Sequence, residues 1–162
     1  MEKAIGTCCT KFDLVRVIWP IVHAIACCEA GGFIYASALA SLVDVPLVLI
    51  RKAGKLPPPV ISVAKPRSHI STQSPGTSKE ERIEIEEHTF TDSVPVVVID
   101  DVLASGATLC AIVELLLRVG INMDDIDIIV VAEFPSHHGR ELLRQHGFGK
   151  LNVRSLLVFD GH

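Results

Sequence analysis

Two adjacent carboxylates, Asp100 and Asp101, follow an apolar β-branched run, Val96 to Ile99, and precede a small-residue turn, Ala104-Ser105-Gly106-Ala107-Thr108. Carboxylates accept hydrogen bonds from hydroxyls or from metal-bound water. Small residues leave backbone N–H groups uncovered where a helix begins, and such a turn favours a phosphate. Acids beside a phosphate cradle imply a sugar phosphate. A merely solvated acidic pair is the weaker reading, because adjacent charges after a buried strand need partners. A second group is basic: Arg51, Lys52 and Lys55 in R-K-A-G-K-L-P-P-P. Alone it reads as a solvated loop; beside the acids and the turn it reads as an anion site.

The elements that must position these groups follow from pattern. Four β-branched residues before Asp100 suit a strand buried on both faces, as in a parallel sheet, so the acids fall at its carboxyl end. Thr108 to Val119 is apolar on several faces and predicts a buried helix stopped by Gly120. Upstream, Ile21 to Cys28 predicts a first core strand, Glu29-Ala30-Gly31-Gly32 a turn, Phe33 to Val43 a helix, and Leu47 to Ile50 a second buried strand. A strand–helix–strand unit favours parallel pairing. Arg51 to Pro59 predicts a stiff loop. Val60 to Val63 and the alternating Arg82 to Glu86 predict two strand arms, the second half-exposed, around a polar loop at 64–80. Asp127 to Ala132 and Ser155 to Phe159 predict further strands, with a short helix over His137 to His146 between them. Lys11 to Ile18 predicts a short helix, in a first twenty residues that are otherwise weakly patterned. The expected fold is α/β, a Rossmann-like parallel sheet flanked by helices, in a single domain over 1–162.

The chain has 162 residues, a net charge of −4, and about half its residues apolar. That balance suits a soluble protein and argues against a nucleic-acid surface. The five cysteines, Cys8, Cys9, Cys27, Cys28 and Cys110, form neither a disulfide framework nor a C-x-x-C metal pattern, which points to reduced thiols and a cytoplasmic location. The most apolar stretch, Val17 to Cys28, is too short to span a bilayer. His137 and His138 have no third ligand at a fitting spacing.

The Pro95 to Cys110 stretch resembles the phosphoribosyl pyrophosphate signature of type I phosphoribosyltransferases: apolar strand, two acids, two apolar residues, then a small-residue turn ending in Thr. Gly32-Phe33-Ile34-Tyr35, V-P-L-V-L-I-R-K-A-G-K-L-P, Glu133-Phe134 followed by H-G-R-E-L-L, and S-L-L-V-F are similar to the adenine branch of that family. The likeness runs over roughly residues 28 to 160, with a gap in the polar loop. It implies transfer of a phosphoribosyl group from phosphoribosyl pyrophosphate to a purine, with Mg2+, in a homodimer. Asp100 and Asp101 would hold the ribose hydroxyls, directly or through metal-bound water. Ala104, Ser105, Gly106, Ala107 and Thr108 would hold the 5′-phosphate. Arg51, Lys52 and Lys55, with the Gly31-Gly32 turn, would take pyrophosphate. Glu133 and Phe134 would lie beside the base, Phe134 being equally readable as a core aromatic. Phe33 to Val43 is the helix expected at a dimer interface.

Three departures from the family pattern matter. Gly31 stands where the family carries an Arg, so a cation is missing, and restoring it should strengthen pyrophosphate binding. The family turn often holds a cis peptide, whose counterpart would be near Glu29-Ala30. The N-terminal hood over the base has no match in residues 1 to 30, and the polar loop lacks the family's Tyr and Glu-Tyr-Gly group; His69 or an acid near Glu80 is left for proton work. These departures keep other readings in view: a sugar-pyrophosphate-binding regulatory protein, an idle subunit, or a transferase for another base.

Overall fold

The computed structural model describes residues 22–66 and 80–160. The expected helix at Lys11 to Ile18, Cys8, Cys9, His69 and most of the polar loop lie outside the described residues. The strands are β1 (Ala24–Cys28), β2 (Leu47–Lys52), β3 (Val60–Ala64), β4 (Arg82–Glu86), β5 (Val96–Leu103), β6 (Ile126–Glu133) and β7 (Asn152–Val158). The helices are α1 (Gly31–Val43), α2 (Ala107–Arg118) and α3 (Gly139–Gln145), with 3-10 turns at Met123–Asp125 and Pro135–His137.

One seven-stranded sheet runs in the order β3-β4-β2-β1-β5-β6-β7. Strands β2, β1, β5, β6 and β7 are parallel neighbours. The β3–β4 hairpin extends the sheet antiparallel from the end of β2. The parallel α/β fold expected from the sequence is the fold observed.

Burial on both faces explains the unbroken apolar runs. On one face Ile25, Cys27, Val97 and Ile99 pack beneath α1. On the other, Ala26, Cys28, Val96, Val98, Ile128 and Val130 join Leu109, Ile112, Val113, Leu115 and Leu116 of α2 in the main core. The buried residues of α1 are Gly32, Ala36 and Ala40, spaced four apart, so only small side chains separate it from the sheet. Asp44 closes α1 in the left-handed conformation, its N–H donating to the Ala40 carbonyl. Cys27, Cys28 and Cys110 are free and buried, and burial pushes each thiol up to about 12, so all three pack as inert apolar groups. Among the described residues no helix is long and apolar enough to cross a membrane.

Three elements differ from expectation. Strand β5 continues through Asp100 and Asp101 to Leu103, because β6 pairs with it that far. Strand β2 includes Arg51 and Lys52, which pair with Glu84 and Ile83; those two cations stand on a sheet rather than in a loop. In β4 only the ends are exposed, and Glu84 is buried between Ile83 and Ile85. The reason is chemical: backbone N–H groups receive its carboxylate.

Candidate active site

Strands β1 and β5 lie side by side, with Cys27 opposite Ile99. The chain leaves β1 through α1 toward β2, and leaves β5 through α2 toward β6, so the strand order reverses between them. Open α/β sheets bind ligands at such a reversal, outside the carboxyl ends of the strands. Here those ends carry Glu29-Ala30-Gly31-Gly32 and Asp100-Asp101.

The two turns touch. A β-carbon at Gly32 would sit 2.9 Å from the Ile99 carbonyl oxygen and 3.3 Å from Asp100 Oδ1. A β-carbon at Gly31 would fall inside the Asp101 carboxylate. Asp101 therefore fills the volume in which any side chain at position 31 must begin. The missing cation at Gly31 is not an empty place; an Arg there must first displace Asp101. The peptide between Glu29 and Ala30 is cis, at the position the family likeness indicated.

Asp100 is 5% exposed, and its Oδ1 accepts the Asp101 N–H at 3.1 Å. Burial, reinforced by the Asp101 charge, pushes the Asp100 carboxyl up to about 7. Lys65 lies close enough for its charge to counter that rise, and it also pairs with Glu81 at 3.3 Å. Sequence reasoning gave Lys65 no part in the site.

Glu29 joins the basic strand end to this centre. Its Oε2 accepts from Arg51 Nε at 3.0 Å and its Oε1 from the Lys52 N–H at 2.9 Å. The Lys52 amide, followed by Arg51, holds the Glu29 carboxyl below its ordinary value. Arg51 is thus part of an ion pair; Lys52 and Lys55 are exposed, Lys52 with its Nζ 3.9 Å from Glu81 Oε1.

Beyond Asp101 the turn Ala104–Gly106 leads into α2. Gly106 caps the helix at φ 79°, in the left-handed region that only glycine enters freely. Ser105 Oγ accepts the Ala107 N–H at 3.4 Å, and Cys110 N–H donates to the Gly106 carbonyl at 2.9 Å. The twelve-residue helix α2 begins here, with Ser105 in the turn before it and Thr108 in its first turn. This is the turn at which the sequence reading expected a phosphate, and the start of a helix favours an anion.

Glu133 ends β6 and Phe134 follows it, before the 3-10 turn. Both Glu133 oxygens are engaged: Arg140 Nε donates to Oε1 at 2.6 Å, Arg140 Nη2 to Oε2 at 2.8 Å, and Ser155 Oγ also donates to Oε2. Arg140 additionally donates to the Val153 carbonyl at 3.1 Å. Glu133 is the hub that ties β6, α3 and β7 together. Phe134 stacks on Phe159 at 5.2 Å and lies 6.3 Å from the His137 ring. Arg140 belongs to the H-G-R-E-L-L run, so its presence was visible in the sequence but its partner was not. Among the described residues no group of three or more His, Cys, Asp or Glu could hold a metal ion.

The sequence matches the family model described as the phosphoribosyl transferase domain over residues 16–148. It is 32% identical over 140 residues to the adenine phosphoribosyltransferase of Novosphingobium aromaticivorans, covering 86% of this chain and 71% of that protein. It is 34% identical over 139 residues to the adenine phosphoribosyltransferase of Rattus norvegicus, covering 86% and 68%. The fold aligns with the crystal structure of APRTase from Giardia lamblia complexed with 9-deazaadenine, at a TM-score of 0.78 and 25% identity, over 99% of this chain and 83% of that one.

Proposed function

Because the chain belongs to the phosphoribosyl transferase family and is a transferase, we propose that it moves a 5-phosphoribosyl group from phosphoribosyl pyrophosphate to adenine, giving AMP and pyrophosphate in purine salvage. The observation that carries this reading is the contact of two turns at the strand-order reversal. Gly31 and Gly32 lie against the carboxylates of Asp101 and Asp100, on the strand that leads directly into the small-residue turn before α2.

In this reading the bond from ribose C1′ to the pyrophosphate oxygen breaks, and a bond from C1′ to a ring nitrogen forms. The transition state gathers positive charge on the ribose ring. Positioning and charge placement therefore dominate over covalent chemistry. Asp100 and Asp101 hold the ribose hydroxyls. The amides from Ala104 to Thr108, with the Ser105 and Thr108 hydroxyls, hold the 5′-phosphate. The amides of Gly31 and Gly32, with Arg51, Lys52 and Lys55, receive the departing pyrophosphate. Phe134, braced by Phe159, offers an apolar face to the base, while Glu133 holds that strand end in place.

Mg2+ fits the donor set as a partner of the substrate: two carboxylates stand beside the phosphate positions, and magnesium commonly keeps its waters and takes substrate oxygens. Asp100 and Asp101 would hold it, and bound there it would supply neutralisation of the pyrophosphate charge. The continuous sheet supports a single domain. Ile34 and Leu42, 71% and 77% exposed on α1, support a homodimer through that helix.

Purified protein incubated with phosphoribosyl pyrophosphate, Mg2+ and a panel of bases tests the reading. Pyrophosphate release with adenine supports it. Saturable binding of the sugar pyrophosphate without turnover on any base overturns it.

A further inference from the structure

The turn after β2 wraps a carboxylate from its own chain. Three consecutive amides, Gly54, Lys55 and Leu56, donate to Glu84: the first to Oε2 at 2.9 Å, the others to Oε1 at 2.7 and 2.8 Å. Successive N–H groups aimed at one point make an anion-binding concavity. Gly54, at φ 85° and with open space around it, supplies the backbone conformation that curls the turn. Glu84 is 3% exposed and lies opposite Arg51 across the β2–β4 ladder. Burial alone would raise its carboxyl, but the three amides outweigh it and hold Glu84 below the ordinary carboxylate range. The concavity therefore carries an anion whether or not substrate is present.

Resting on the reading above, we propose that Glu84 is a positioning residue for pyrophosphate: a built-in anion that sets the 53–56 turn and presents Arg51, Lys52 and Lys55 to the ligand. Two consequences follow. Oriented amides are withheld from the substrate, so pyrophosphate meets side-chain cations on this wall. The cations also stand at a fixed distance from Glu29 and Gly31, because the strand end and the turn are anchored separately, one by Glu29 and the other by Glu84.

Glu84→Gln tests this with little change in shape. The amide oxygen can still accept from two N–H groups, but the NH2 opposes the third donor. The expected result is a KM for phosphoribosyl pyrophosphate raised roughly tenfold, the loss of one charge-assisted hydrogen bond, with kcat and the KM for base changed less than about twofold. Amide exchange at Gly54, Lys55 and Leu56 should accelerate roughly tenfold by the same loss. Glu84→Ala should be worse, and acetate or formate added to it should restore sugar-pyrophosphate affinity by refilling the concavity. Wild-type KM and wild-type exchange in Glu84→Gln overturn the proposal, as does an equal fall in every kinetic constant. If the native protein turns over no base, the transferase reading fails. The exchange rates, with calorimetric binding of Mg2+-pyrophosphate to the native protein and to Glu84→Gln, still decide the role of Glu84: equal affinity and equal exchange overturn it.

Discussion

Gly106 and Gly139 are packed backbone to backbone. A β-carbon on Gly106 would lie 2.5 Å from the Gly139 carbonyl oxygen, and one on Gly139 would overlap the Ala104 carbonyl and come within 2.6 Å of Leu103 Cδ1. The turn at the head of α2, proposed above to hold the 5′-phosphate, is thus seated on the first residue of α3. Backbone cannot swing aside as a side chain can, so a methyl at 139 must push the turn itself. Gly139→Ala should weaken phosphoribosyl pyrophosphate binding about tenfold or more, since displacements near 1 Å are that costly in a positioned site. Gly120→Ala is the control: its φ is 94° with open space around it, so it should lose roughly 1 kcal/mol of stability and no ligand affinity. Calorimetric titration and thermal melts of both variants check the contrast.

The overlap between position 31 and the Asp101 carboxylate makes a second prediction, opposite to the sequence-based expectation that an Arg at 31 strengthens pyrophosphate binding. Gly31→Ala and Gly31→Arg both force Asp101 off its position. Each should lower kcat/KM for phosphoribosyl pyrophosphate, by roughly tenfold for the alanine variant. If displacement of Asp101 is the cause, the effect must vanish where Asp101 has no carboxylate. Adding Gly31→Ala to Asp101→Ala should cost less than about twofold further, the non-additivity expected of touching residues. Full additivity in that cycle would refute the coupling.

The fold was more legible than the site, for a physical reason. Burial on two faces writes itself into a run such as Val96 to Ile99, because every position must be apolar. The acids and the small turn were readable because chemistry and backbone approach restrict residue type. Glu84 was not readable: R-I-E-I-E shows the same alternation whether its carboxylate meets water or three amides, and amides leave no trace in residue type. Gly31 shows that a side chain is missing but not that Asp101 fills the space. Gly139 acts through Gly106 and Ala104, far back in the chain, and Arg140 through Glu133 and β7 together, so their roles emerge only when β6, β7, α2 and α3 are brought together.

Asp100 should set function against stability. A carboxyl whose folded value is raised, here from 3.8 to about 7, binds its proton more tightly in the folded state. The folded state is therefore penalised progressively as pH rises through that interval, and the penalty is complete above it. Asp100→Asn removes the titration. The variant should lose phosphoribosyl transfer yet gain stability at pH 8, by up to about 4 kcal/mol, and its advantage over the native protein should shrink toward pH 4. Melting curves at pH 4, 6 and 8 check the trend. A gain that is the same at all three values would mean Asp100 does not titrate in this interval.

The Glu133–Arg140 pair gives the reverse pH signature. Arg140, then Ser155, holds the Glu133 carboxyl below its ordinary value, against the opposing effect of burial. Stability from a depressed carboxyl is present above the unfolded value and is lost as pH falls through the folded one. Arg140→Met leaves the 7%-exposed Glu133 side chain charged and without its bidentate partner. The cost at pH 7 should be roughly 2–3 kcal/mol, below the full buried-pair figure because the guanidinium is 44% exposed. Because Glu133 fixes the end of β6, Phe134, proposed above to face the base, should loosen with it, raising the KM for base more than that for phosphoribosyl pyrophosphate. Glu133→Gln in the Arg140→Met background should recover part of the stability by removing the unpaired charge. The gap in melting temperature between Arg140→Met and the native protein should begin to narrow as pH falls below about 4 and close further as pH passes the depressed native value, below which the carboxylate is protonated in both. A gap that stays the same in acid would show that the pair contributes through packing rather than charge.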